Sequence, residues 1–162
     1  MGARVSGAGL RGRVEAFLRA DDWPHEATET GFTFGFAGEH GQWGCFAWVR
    51  EEQGQVVFYS YPPVEVGPET MAAVMEFITR ANFGLAVGGF ELHLESGTLQ
   101  FRTSIDVEDS EKSLTAQVLE HLLYHNVLTM DKYLPGLRAV IEQTATPEAA
   151  IIAVEGAPPE LE

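Results

Sequence analysis

The chain has 162 residues, 45% of them hydrophobic, which is enough for one domain with a sizeable core. Its 24 acidic and 10 basic side chains give a formal charge of −14, which repels nucleic-acid phosphates and anionic lipid and favours basic partners. The single cysteine, Cys45, excludes an internal disulfide and a cysteine-rich metal site, and its neighbours make it a buried strand residue, not a reactive thiol.

Residues 1–8 are small and Gly-rich and are expected to be mobile, ahead of one domain over 9–154. The start of the chain lacks the apolar run of a signal peptide, and no stretch approaches the length of a membrane span, so a cytoplasmic protein is expected. Leu10, Val14, Phe17 and Leu18 recur at helical spacing up to Asp21-Asp22-Trp23-Pro24. Three strand-like segments follow, 31–38, 42–51 and 55–61, and read as an antiparallel meander.

The faces of the meander follow if both loops hold an even number of residues, because each cross-strand pair then joins an odd position to an even one. Phe32, Phe34 and Phe36 then share a core face with Trp43, Cys45, Ala47, Val49 and Phe58. The opposite face collects Phe46, Trp48, Val57, Tyr59 and Tyr61, together with Thr33, Gly35 and Arg50, with Trp48 near Tyr59 and Phe46 near Tyr61. That outer face is unusually aromatic for a solvated surface. It calls for cover by another segment of the chain, a second subunit or a partner.

Gly67-Pro68 opens a second helix with Met71, Val74, Met75 and Ile78 inward and an end at Asn82. From Asn82 to Ile105 the pattern is a β-hairpin: Phe90, Leu92 and Leu94 face Leu99, Phe101, Thr103 and Ile105 across a Ser96-Gly97 turn. This register pairs Leu94 with Leu99 and brings Glu91 to Arg102 on the polar side. Gly88-Gly89 marks a bulge or a close backbone approach. The acidic connector 106–111 suits the positive end of the next helix. That helix, over 112–128, carries Leu114, Val118 and Leu122 beside Leu119, Leu123 and Val127 and is largely buried. A further helix spans 131–143, with Pro135 tolerated in its first turn. Thr146-Pro147-Glu148 caps a short helix over 149–154, and the Pro- and Glu-rich residues 155–162 are expected to be disordered.

The best candidate for catalysis or metal binding is His121 with His125, four apart on one helix and able to face one ion. The Glu of the zinc-protease signature is missing between them, and spacing offers no third ligand. Neither a phosphate-cradling loop, a nucleophile motif nor a cofactor motif is present. The aromatic outer face resembles the stacking platforms that bind single-stranded nucleic acid, but within it only Arg50 supplies the basic surround such platforms need.

The run Asn82-Phe83, Gly88-Gly89-Phe90-Glu91-Leu92, Gly97 and Leu99-Gln100-Phe101-Arg102 continues after a helix with Asp131-Lys132-Tyr133-Leu134-Pro135 and Pro147-Glu148-Ala149. These residues resemble the YbjN family of proposed bacterial sensory transduction regulators, over about 10–154. The resemblance implies a fold similar to type III secretion chaperones, small acidic proteins that commonly dimerise and bind other polypeptides without catalysis. The expected architecture is α+β, an antiparallel meander plus hairpin packed with helices, in the order α-β-β-β-α-β-β-α-α. The expected function is non-enzymatic, chaperone-like or regulatory: a homodimer binding protein partners, basic or nucleic-acid-associated ones among them, through Phe46, Trp48, Val57, Tyr59 and Tyr61. The alternatives are a metal-dependent or small-molecule enzyme using His121 and His125, and direct single-strand binding on the aromatic face.

Overall fold

A computed structural model describes residues 9–108 and 110–157; the expected mobile N-terminus, Asp109 of the acidic connector and residues 158–162 of the expected tail lie outside the described residues. The expected order of elements is observed, with a three-residue strand added after the first helix. The elements are α1 (Leu10–Ala20), β1 (His25–Ala27), β2 (Gly31–Ala37), β3 (Gln42–Arg50), β4 (Gln55–Tyr61), α2 (Met71–Gly84), β5 (Gly89–Leu92), β6 (Leu99–Asp106), α3 (Ala116–Ile141) and α4 (Pro147–Glu155). All strand pairs are antiparallel, and the six-stranded sheet runs β1-β2-β3-β4-β6-β5.

Alternation places the meander faces as expected, because both loops hold four residues, an even number: Ala37 pairs with Gln42, and Arg50 with Gln55. Phe32, Phe34, Trp43, Cys45, Ala47 and Phe58 are buried on the core side. The pairing between β3 and β4 differs from the expected one by two residues. Phe46 lies opposite Tyr59 and not Tyr61, and Trp48 opposite Val57 and not Tyr59, because the connecting loop is longer than the strand pattern suggested. The same correction applies to the hairpin. Leu92 pairs with Leu99, and residues 94–97 form the turn, closed by His93 N–H donating to Thr98 O at 2.9 Å, with Gly97 at φ +73°. Leu94 is therefore not on the apolar face but 54% exposed. Arg102 still reaches Glu91, diagonally, at 2.6 Å. The close approach expected at Gly88 is present: φ is +75°, and a Cβ there would stand 2.6 Å from Arg102 O.

The helices pack against the core face. In α2, Val74, Phe77, Ile78 and Ala81 are buried, whereas Met75 points outward, so the buried stripe is rotated from the expected one. The helix begins at Met71, after a turn that holds Pro68. Asn82 ends the inward face by pairing with the edge of β5: its Nδ2 donates to Phe90 O at 2.9 Å and its Oδ1 accepts from Phe90 N–H at 2.7 Å.

The two helices expected over 112–128 and 131–143 are one continuous helix, α3, of 26 residues. The hydroxyl of Thr115, not the acidic connector, caps it by accepting from Val118 N–H at 3.2 Å. Pro135 lies well inside and provides no N–H for Asp131 O four residues earlier; His40 Nδ1 takes that oxygen at 3.0 Å. The Asp131 carboxylate accepts the Glu39 and His40 N–H groups at 3.0 and 2.9 Å, so the β2–β3 loop is clasped to α3. The β3–β4 loop is clasped in the same manner. Gly9 has no side chain to cap α1, and Glu51 accepts from Leu10 and Arg11 N–H at 2.8 and 3.0 Å instead.

Across the core, Asn126 of α3 ties the helix to the strands. Its Nδ2 donates to Phe58 O and Phe101 O at 2.8 and 3.2 Å, and its Oδ1 accepts from Ser60 Oγ at 2.5 Å. Ser60 Oγ accepts from Trp43 Nε1 at 3.0 Å and lies 3.6 Å from Cys45 Sγ, and Thr103 Oγ1 donates to Leu122 O at 2.9 Å. Burial around Cys45 pushes its thiol from the ordinary 9.0 up to about 11, against the smaller opposing effects of Ser60 and Trp43.

Candidate functional site

Side chains that alternate away from the core assemble on the other side of the sheet. From β3 these are Phe46, Trp48 and Arg50, from β4 Gln55, Val57, Tyr59 and Tyr61, and from β6 Arg102, Ser104 and Asp106. Phe46, Trp48 and Tyr59 are half-buried and Tyr61 is exposed, while Val57, at 7% exposure, forms a floor between Trp48 and Tyr59. The Tyr59 and Tyr61 rings stack with centroids 6.1 Å apart. Beside them Gly35 and Gly44 pair directly. A Cβ at Gly44 would meet nothing within 4 Å and one at Gly35 only Trp43 O at 3.7 Å, so the backbone there lies bare. Among the described residues every helix lies on the opposite side, so the chain itself leaves this face open; cover from within the chain, one of the expected options, is not what these residues provide.

The electrostatics of the face are local. The Arg50 guanidinium lies 4.7 Å above the Trp48 ring and donates to Gln55 Oε1 at 2.7 Å, and Gln55 Nε2 donates to Asp106 Oδ2 at 2.8 Å. That bond, with the Glu108 N–H on the other oxygen, holds the Asp106 carboxyl below its usual range. Burial first, then the Glu91 carboxylate, raises the Tyr59 phenol above its ordinary value, against the opposing pull of Arg102 and Arg50; burial raises that of Tyr61. Both phenols are neutral hydrogen-bonding groups at physiological pH. Pattern reading missed Arg102 as a member of this face. The signal was its place on the polar side of the hairpin, which the β4–β6 pairing makes continuous with the outer side of the meander: Tyr59 lies opposite Arg102. Chemically the arrangement offers apolar area, ring faces, two phenols and a stacked cation.

His121 and His125 are both exposed on the outer side of α3. Among the described residues the one cluster of His and carboxylate groups close enough to surround an ion is Glu39, His40 and Asp131, which does not include them. In that cluster Asp131 is already committed to the loop N–H groups. No helix among the described residues is long and apolar enough to cross a membrane.

An antiparallel sheet with its helices on one side and an aromatic face on the other defines an α+β protein. Residues 11–139 match the profile of the YbjN family, described as "Putative bacterial sensory transduction regulator", and the chain belongs to that family. Among solved structures it is similar to a chain in the structure of the HopA1-SchA chaperone-effector complex, at 15% identity and TM-score 0.47, over 78% of this chain and 90% of that one. It is also similar to a chain in the crystal structure of the ExsC-ExsE complex, at 13% identity and TM-score 0.47, over 75% and 88%. Comparison with curated proteins finds no match.

Proposed function

We propose that this YbjN-family protein is a non-enzymatic protein-binding module, chaperone-like or regulatory, that acts as a dimer and captures protein partners on the outer face of its sheet. The observation that carries the reading is the contiguous strip of half-buried Phe46, Trp48 and Tyr59 and exposed Tyr61 over the buried Val57, on the side of the sheet away from the helices. Aromatic side chains at the centre of a contact contribute the most to protein association, and Trp, Tyr and Arg dominate such centres. The stacked Arg50 adds a directional donor, and the net charge of −14 favours partners that carry a basic surround.

The test is capture of co-purifying proteins by the wild type and by Trp48→Ala and Tyr61→Asp variants, each checked for folding by circular dichroism. A partner bound by this face loses at least about thirty-fold in affinity with Trp48→Ala, the size of a central hot spot. It is retained by His121→Ala. Capture that survives both face substitutions would rule the reading out.

A further inference from the structure

The sign of charge reverses within the outer face of the sheet. On a chain of net charge −14, a hollow of about 290 Å³ in that face is lined by two guanidiniums, Arg50 and Arg102, against one carboxylate, Asp106. Alternation and side-chain size make the hollow. Trp48, Val57 and Ser104 lie side by side across β3, β4 and β6, and the last two are the short members of that row. The longer Arg50, Gln55 and Asp106 form the next row on one side, and Tyr59 and Arg102 stand on the other. The space exceeds the roughly 150 Å³ that holds a benzene ring, so one side chain of a partner fits in it.

The acceptors around the hollow are already engaged. Gln55 accepts from Arg50 through Oε1 at 2.7 Å and donates through Nε2 to Asp106 Oδ2 at 2.8 Å, and the other Asp106 oxygen takes the Glu108 N–H at 2.9 Å. The Glu91 carboxylate beside Arg102 accepts from Arg102 Nε at 2.6 Å and from Gln100 Nε2 at 2.7 Å. Donors are what remain. Arg50 is held by the neutral Gln55 amide and the Trp48 ring, with no carboxylate partner among the described residues. Elsewhere the indole N–H groups of Trp23 and Trp43 and the hydroxyls of Tyr124 and Tyr133 all donate within the chain. Those of Trp48 and Tyr59 have no acceptor among the described residues. A carboxylate takes two parallel bonds from a guanidinium fork, and a fork held in place by stacking loses less freedom when it binds one.

We infer that this hollow selects partners by an acidic side chain: an aspartate or glutamate of the partner polypeptide pairs with Arg50 over the Val57 floor, while apolar residues beside it cover Trp48 and Tyr59. The inference rests on the proposed function, protein capture by this face, and adds the sequence chemistry that the face accepts. The favoured segment combines both signs. Its acid sits in the hollow, and basic flanks meet the acidic surround.

Two blocked pentapeptides, titrated into the full chain, test it: lysine-leucine-aspartate-leucine-lysine, and the same peptide with asparagine at its centre. Binding is followed through the indole N–H resonances of the three tryptophans. The aspartate peptide is expected to shift Trp48 and not the buried Trp23 and Trp43, with an affinity about ten-fold above that of the asparagine peptide. Net charge alone predicts the opposite order, because the asparagine peptide is the more cationic. Arg50→Gln is expected to erase the preference and Arg50→Glu to reverse it, an outcome that a misfolded variant does not give. Equal affinities for the wild type overturn the inference, as do binding of neither peptide and a preference that survives Arg50→Gln. Each of these leaves protein capture by the sheet face to its own test, where failure shows instead as capture that survives Trp48→Ala and Tyr61→Asp.

Discussion

Asn126 sits without exposure in a stripe of Leu119, Leu123, Val127 and Met130, and there it supplies donors to carbonyls of two strands. Pattern reading singled out Leu119, Leu123 and Val127 and passed over Asn126, because apolar periodicity reports a face and not a polar partner, so the network with Ser60 and Thr103 was not legible in the sequence. Replacing Asn126 with Leu leaves Phe58 O and Phe101 O without their donor from α3 and Ser60 without its acceptor. A loss of about 2–4 kcal/mol is expected, read from the urea midpoint. Cys45 allows a pH prediction. Its folded thiol ionises near 11 and its unfolded thiol near 9.0, so between those values the folded chain holds the extra proton. Stability from this group is fully present below about pH 9 and is lost as pH rises through 11, by up to roughly 2–3 kcal/mol. Cys45→Ala removes that part of the alkaline limb from a stability–pH curve. The remaining limb belongs to the tyrosines raised in the same direction, Tyr59, Tyr61, Tyr124 and Tyr133.

At the level of elements, the segment Asp131 to Pro135 shows why helix boundaries were harder to read than faces. An acid followed four residues later by proline has the form of a helix start. Here the same residues sit inside α3 and serve a distant loop: the carboxylate and the oxygen orphaned by Pro135 both hold the β2–β3 turn. Asp131→Ala is expected to cost about 2–4 kcal/mol and to speed amide exchange at Glu39 and His40 more than at the centre of β3. At Gly136 the helices meet so closely that a Cβ would stand 2.7 Å from Phe77 and 2.9 Å from Val154. Gly136→Ala therefore loosens α2 and α4 by about 1–3 kcal/mol despite its better helix propensity, a shift visible in thermal unfolding. The strands show the complementary case. Both registers were read two residues out, yet a shift by two preserves the side on which every residue falls, so the outer face was legible while its pairings were not. Loop length decides pairing, and the polar loop residues carry little signal about where the ladder stops.

For the whole molecule, charge and shape act at different ranges. The net charge of −14 acts on approach, and the nearly neutral aromatic strip acts on contact. Association with a basic partner is therefore expected to slow as salt shortens the screening length toward about 8 Å, while the off-rate changes less; stopped-flow binding at several ionic strengths separates the two.

The side chain of Asn82 has a consequence for the sheet as a polymerising unit. An open sheet offers two edges, and strands of like molecules can add to either. At the β5 edge the Asn82 amide occupies the outward N–H and C=O of Phe90, which any incoming strand would need. At the other edge β1 is three residues long and preceded by Pro24, too short a template for a stable ladder. A sheet that leaves an aromatic face open is thus guarded at both of its edges against the addition of like copies end to end.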